Sequence, residues 1–423
     1  MKSFLSFLVV GIFTIPVHAI DLNDLIKHTL AQHPDIGVQN ANIDVANTQQ
    51  TLARHQYYPT FSVSVENATV TAQNDVTYSG ADLVTTLRVQ QPLYTFGRLT
   101  AAYEKSKLQV SREQEVLEET KLNLAQQVLS AWGDWYVASL RIKALLKSQQ
   151  THESLKDSVS RRAEKGASSP SEVRLSEARL AQIIAQLEAT KLQERAAKVV
   201  LMQLVGYVLP ESENITQHLR FSLSESAQLI NQAIKNSTQL RRYHTDIDIA
   251  QLAKKEQEAS TKPEIYLRAE HQRGDFSATD LPFASRVFVG VQSNFGAGLS
   301  SGIEVSLAEQ RKKTLEAELK AVTRKLVEQV QLEITQIQSL DIRQRALELS
   351  LEANTDIADA FNRQFLAGRR SWVEVMNTAR ELSQSELELA DLVAAKVLSH
   401  WRLAFLVLGL DDTLMISQPN NMK

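Results

Sequence analysis

The chain has 423 residues with 22% charged, a net charge of −3, 14 Gly, 9 Pro and no Cys. Charges of both signs are interspersed, so there is no basic patch and no case for a nucleic-acid partner. Without disulfides the fold has to be held by packing or by association.

The first residues read as a secretory signal. Lys2 is a short positive region, residues 4–15 are apolar, and Val17-His18-Ala19 precedes a cut at Ile20. The apolar run falls short of the ~20 residues that would span a bilayer. A signal peptide over 1–19 followed by no Cys leaves no position for a lipid, so membrane attachment would have to come from the fold. No later segment approaches an apolar spanning helix.

Residues 22–31 and 36–57 are helical by spacing, with His33-Pro34 breaking them. Two alternating segments follow, about 60–71 and 83–94, joined by a polar turn between Asn74 and Gly80. Phe61, Val63 and Val65 share one face, and Ser62, Ser64 and Glu66 the other. In the second segment Leu83, Leu87, Val89 and Leu93 oppose Thr86, Arg88 and Gln90. That segment runs through Gln91-Pro92-Leu93-Tyr94-Thr95-Phe96-Gly97-Arg98, where Pro92 and Gly97 mark a strand-to-helix junction.

From there a helical pattern continues over about 98–165, which would extend ~100 Å at 1.5 Å per residue. Val110, Leu117, Leu124, Ala131, Ala138 and Leu145 recur at coiled-coil spacing. Gly166 suits a left-handed helix end. Ser169-Pro170-Ser171-Glu172 is then a capping box for a returning helix over about 170–205. Residues 206–221 lose the periodicity and carry Pro210, as a linker or equatorial segment would.

Roughly 200 residues on, the same unit returns, a self-similarity at domain scale. Ile43-Asp44-Val45-Ala46 matches Ile247-Asp248-Ile249-Ala250, Pro59 matches Pro263, and Glu66 matches Glu270. Gly166 then aligns with Gly368, Val173 with Val375 and Leu180 with Leu382. The first repeat covers 20–205 and the second 222–410, with strands about 264–273 and 286–295 and helices about 301–367 and 371–409. Ser371-Trp372-Val373-Glu374 repeats the capping box. Residues 411–423 form a short tail, expected to be mobile.

No phosphate loop, nucleophile elbow or metal-ligand spacing appears, which points away from an enzyme and from any cofactor or metal. His152-Glu153 falls on a polar helix face and is expected to be solvated. Charged residues crowd the two aligned tips: Glu172 on the first, Arg370 and Glu374 on the second. Capping alone accounts for both Glu residues, and it leaves room for a second role.

A half-buried soluble sheet would give the same strand alternation. Strands of ~10 residues, aromatics near strand ends (Phe61, Tyr94, Phe96, Phe295) and the lack of an ordinary helix for the sheet to cover favour contact with lipid. Four strands cannot close a barrel, and an open edge is not tolerated in lipid. Several chains would therefore have to pool their strands.

The signal peptide, the duplicated helix–hairpin–helix unit, the run from Gln91 to Arg98 and the two Gly-x-x-x-x-x-Glu-Val tips together resemble the TolC-type outer-membrane factor family over the whole mature chain. The resemblance implies a mainly α fold with a small β part. Three chains would pool twelve strands in an outer-membrane barrel, continuous with a twelve-helix tunnel across the periplasm. An inner-membrane transporter, ABC or proton-driven, and a periplasmic adaptor would dock at the tips. The matched motif puts Arg370 at the family's latch Arg, Glu172 at its acidic partner and Glu374 at one position of an acidic ring. Asn377 stands where the second ring acid is usual, and Phe365 where an aromatic often brings a hydroxyl, so fewer charges and a weaker latch follow. A periplasmic coiled-coil adaptor or scaffold is the alternative, although no lipoyl-like β domain interrupts the helices. The absence of a lipid anchor and of a long C-terminal extension puts type I protein secretion slightly ahead of drug efflux as the export route.

Overall fold

The computed structural model describes residues 20–67, 83–209, 215–216, 219, 221–275 and 283–417. The expected signal peptide, the turn between Asn74 and Gly80, and residues 68–71 of the first expected strand lie outside these. The chain divides into two compact units, one of Met1–His33, Leu122–Gln232 and Val330–Lys423, the other of Pro34–Lys121 and Ala233–Gln329.

The second of these holds the sheet. Strands β2 (Thr60–Asn67), β3 (Leu83–Tyr94), β5 (Glu264–Arg273) and β6 (Phe283–Gln292) form a four-stranded antiparallel sheet in the order β2-β3-β5-β6. Phe61 pairs with Val89, Val89 with Ala269 and Ala269 with Val287, so these side chains share a face. Phe61, Val63, Val65, Val287, Val289 and Val291 stand 61–75% exposed on that face. The opposite face is polar and knitted together. Glu270 accepts from Arg88 at 2.6 Å and lies 3.2 Å from Arg268, whose guanidinium sits over the rings of Tyr266 and Phe288. Gly290 leaves room for Tyr266, because a Cβ there would meet the phenol ring at 2.4 Å.

β6 occupies 283–292 and not the expected 286–295. The Asn294 side chain accepts from the Gly296 N–H at 2.9 Å, and Gly296 takes φ +69°, so the chain turns before Phe295 can extend the ladder. At the other junction the register shifts between Pro92 and Tyr94. Pro92 has no N–H for the ladder, and a bulge is where a strand can carry it. Phe96 and Gly97 then take φ +50° and +90°, and Arg98 closes a 2.6 Å ion pair with Glu264. In the same unit α2 (Pro34–His55) and α6 (Thr238–Ser260) accompany the start of α3 (Arg98–Glu164). Arg112 and Arg242 both bind Asp246, at 3.1 and 2.9 Å, and Arg242 also binds Glu119 at 2.8 Å.

The other unit holds the aromatic core. Trp132 and Trp135 of α3 pack with Leu201 of α4 (Pro170–Val205) and with Trp401 and Phe405 of α8 (Trp372–Val407). Leu22, Leu25 and Ile26 of α1 (Leu22–Gln32) join them. Gly133 lets α8 come close to α3: a Cβ there would lie 2.6 Å from Leu398. Arg141 is bidentate to Asp391 at 2.5 and 2.8 Å.

Two segments read as loop or tail carry structure. Within 206–221, β4 (Ile215–Thr216) pairs in parallel with β1 (Ile20–Asp21). Beyond the second repeat, α9 (Leu410–Ile416) buries Leu410, Thr413 and Leu414, so the chain is not a mobile tail up to Ser417. Asn23 explains the anchoring: its amide donates to the Leu414 carbonyl at 2.9 Å and to Ser417 Oγ at 2.7 Å. Asn23→Ala should cost about 1 kcal/mol for its lost hydrogen bonds, since the Leu414 carbonyl still accepts from the Ser417 hydroxyl at 3.1 Å. Thermal unfolding measures that loss, and limited proteolysis should then clip the C-terminus first.

Candidate functional site

The two hairpin tips lie in the same unit and are built alike. At the first, Gly166 takes φ +72°, and the N–H groups of Gly166 and Ala167 return to Ala163 and Arg162. Gly368 takes φ +74° at the second, between α7 (Ser301–Leu366) and α8, where Gly368 and Arg369 return to Phe365 and Gln364. Only glycine holds this left-handed position without strain. Both capping boxes are closed. Ser169 N–H donates to Glu172 at 2.9 Å, and Ser371 N–H to Glu374 at 3.1 Å.

The two glutamates differ in their further load. Arg370 reaches Glu374 at 2.6 Å, donates through Nε to Gln364 at 3.1 Å, and rests 3.9 Å from the Phe361 ring centroid. The Ser371 hydroxyl and N–H, then Arg370, hold the Glu374 carboxyl below its ordinary value. Glu172 has its own cap to serve and does not meet Arg370 within the chain. Asn377 is exposed, one turn beyond Glu374 on α8.

Phe365 does not line an open tip. It is 3% exposed and packs with Leu155 and Val159 of α3 and with Trp372, Val375 and Met376 of α8, its ring 5.0 Å from that of Trp372. The lack of a hydroxyl is what suits it to this apolar cluster. His152, expected to be solvated, is also buried: it is 3% exposed and its Nδ1 meets the Ser148 carbonyl at 2.9 Å. Burial and the nearby Arg179 push its pKa below the ordinary value. Among the described residues no group of acidic or His side chains could hold a metal ion.

Sequence reasoning passed over Arg162. Its guanidinium donates to the Leu366 carbonyl at 3.2 Å and to the Ala167 carbonyl at 3.4 Å, and lies 4.7 Å from the Phe365 ring centroid. A cation in the last turn of a long helix, one turn before the tip glycine, was the available signal.

Three comparisons bear on identity. The family model described as outer membrane efflux protein matches residues 25–207 and 229–407, most of the chain. No curated protein matches it. Among solved structures, VceC of Vibrio cholerae is similar at a TM-score of 0.78 and 15% identity, covering 92% of this chain and 96% of that one. The CmeC outer membrane channel of Campylobacter jejuni gives 0.74 and 12% over 92% and 85%. MtrE of Neisseria gonorrhoeae, in an open state, gives 0.72 and 15% over 93% and 90%. These likenesses establish the fold. With the matched family model they lead to one conclusion: the chain belongs to the outer membrane efflux protein family, whose members are outer-membrane exit ducts and not enzymes.

Proposed function

We propose that the chain works as a homotrimer, pooling its sheets into one closed barrel of ~12 strands with the long helices as a tunnel on the periplasmic side. The sheet of the single chain carries this reading. Its apolar face is bare, and the edges β2 and β6 have no strand partner among the described residues. Lipid accepts such a face but not such edges, so copies must pair edge to edge. In mild detergent the protein should run as a trimer, and a stable folded monomer would overturn the architecture.

The bare face meets lipid and the polar face meets the lumen. Val289→Arg or Val291→Arg should therefore impair membrane insertion, at a cost of about 2–4 kcal/mol near the midplane. The same change at Gln90 or Gln292 should be tolerated. Equal tolerance at both sets, read as heat-modifiable trimer in outer-membrane fractions, would show the faces to be reversed.

The tips are the gate and the docking end for a periplasmic adaptor and an inner-membrane transporter. In the closed trimer Arg370 exchanges its own Glu374 for Glu172 of a neighbouring hairpin, leaving Glu374 and Asn377 to line the constriction. One exposed pair is worth only ~0–1 kcal/mol, but symmetry repeats it in every chain. Arg370→Ser should raise single-channel conductance in bilayers and admit bulky antibiotics to cells, with little change in thermal stability. Glu374→Gln should mainly alter cation block. Because the folded pKa of Glu374 is depressed, its contacts are present above the ordinary carboxylate value and are lost only as pH falls through the lower folded value. Unchanged conductance in Arg370→Ser would reduce these residues to caps.

Exported protein stands slightly ahead of small molecules as the cargo, on a sequence that offers no Cys for lipid attachment. Deleting the gene separates the two. Loss of a secreted protein supports type I export, and sensitivity to dyes and detergents supports efflux.

A further inference from the structure

Arg162 has the geometry of a clamp between two hairpins. It is anchored in the last turn of α3, yet one of its two bonds goes to Leu366, the last residue of α7, 204 positions along the chain. The other closes its own tip at Ala167. The Leu366 carbonyl is at a helix C-terminus, left without a partner by the helix and carrying partial negative charge, whereas the Ala167 carbonyl belongs to the tip turn just past Gly166. Between them the guanidinium lies over Phe365, whose other neighbours are Trp372 and the apolar residues of α3 and α8. The planar fork allows two bonds and a ring contact at once, which an ammonium cannot supply.

The duplication makes the asymmetry plain. The offset that aligns Gly166 with Gly368 places Gln364 opposite Arg162. Gln364 accepts from Arg370. The last turn of α7 is thus held by two arginines, one from its own tip and one from the other hairpin. The clamp is also releasable: Arg162 Nε is buried without an acceptor, so letting go returns a donor to water and offsets part of the loss.

We propose that Arg162 is a positioning residue of the gate, the intrachain strut that seats the second hairpin tip against the first and has to let go when the tip opens. The strut rests on contacts within one chain; its link to opening rests on the tips being the gate, as proposed above. The absence of Cys makes the test clean. Ala167→Cys and Ala367→Cys, both at exposed positions, are introduced into the full-length trimer and joined by a short bis-maleimide. Products within a chain run as monomers on denaturing gels, and products between chains as dimers or trimers. Arg162→Gln should lower the intrachain product severalfold and raise the open fraction in bilayers, while Arg162→Lys, which can keep one carbonyl bond but not both together with the ring contact, restores only a minor part of either. An unchanged intrachain yield in Arg162→Gln overturns the strut, and a lower melting temperature alone would make Arg162 merely structural. If the yield falls and conductance rises in Arg370→Ser but not in Arg162→Gln, the link to opening is wrong. If neither variant changes conductance while the yield falls, the strut is supported and the gate reading fails.

Discussion

The register between β3 and β5 is the constraint on which the rest depends. Leu87 opposite His271 and Val89 opposite Ala269 bring the two repeats into one sheet with their apolar side chains on the same side. A slip of one residue would turn every apolar side chain of one repeat to the polar face. The polar face resists that slip. Arg88, Arg268 and Glu270 form a connected group across two strands, and Tyr266 fills the space that Gly290 leaves. Cross-strand pairs of this kind are worth a few tenths to 1 kcal/mol each, but all of them demand the same register. A sheet so ordered and yet so bare on one face is what the proposed pooling of copies rests on.

At the tips, packing and charge pairing are carried by different side chains. Phe365, Trp372, Val375 and Met376 of the second hairpin are nearly inaccessible to water and pack with Leu155 and Val159 of the first. The charged groups lie outside this cluster and can change partners without dissolving it. Glu374 both closes the capping box and binds Arg370, whereas Glu172 only closes its box. The free capacity of the Glu172 carboxylate is what a neighbouring Arg370 would use.

The features legible in sequence were those whose cause is local. Heptad leucines such as Leu124 and Leu201, the tip glycines and the Ser-x-x-Glu boxes specify helix, turn and helix from within a few residues. Duplication then reported the architecture without any tertiary information. What escaped depends on distant partners. Residues 410–416 are too short for a readable period, and what anchors them is distant: Leu410 and Leu414 join the core of Trp132 and Trp401, and Asn23 binds Leu414 and Ser417. His152 sits among polar neighbours in sequence but turns inward. The alternation of Val287, Val289 and Val291 is compatible with either end for β6; the Asn294 turn decides it. Arg162 looked like one more surface cation because Leu366 is 204 residues away.

The repeats also show how two copies of one structure come to make different contacts. Backbone features are kept in both copies: left-handed glycine, serine cap and third-position glutamate. The side chains around them have diverged. The first tip places its arginine before the glycine, where it reaches the other hairpin, and the second places Arg370 after the glycine, where it binds its own α8. Two identical tips would each satisfy themselves and have no reason to engage. With one cation four residues before its glycine and the other two residues after, the second copy receives a clamp and presents its own arginine to α8. The shared backbone builds both turns alike, and the difference in charge placement gives the two tips different partners.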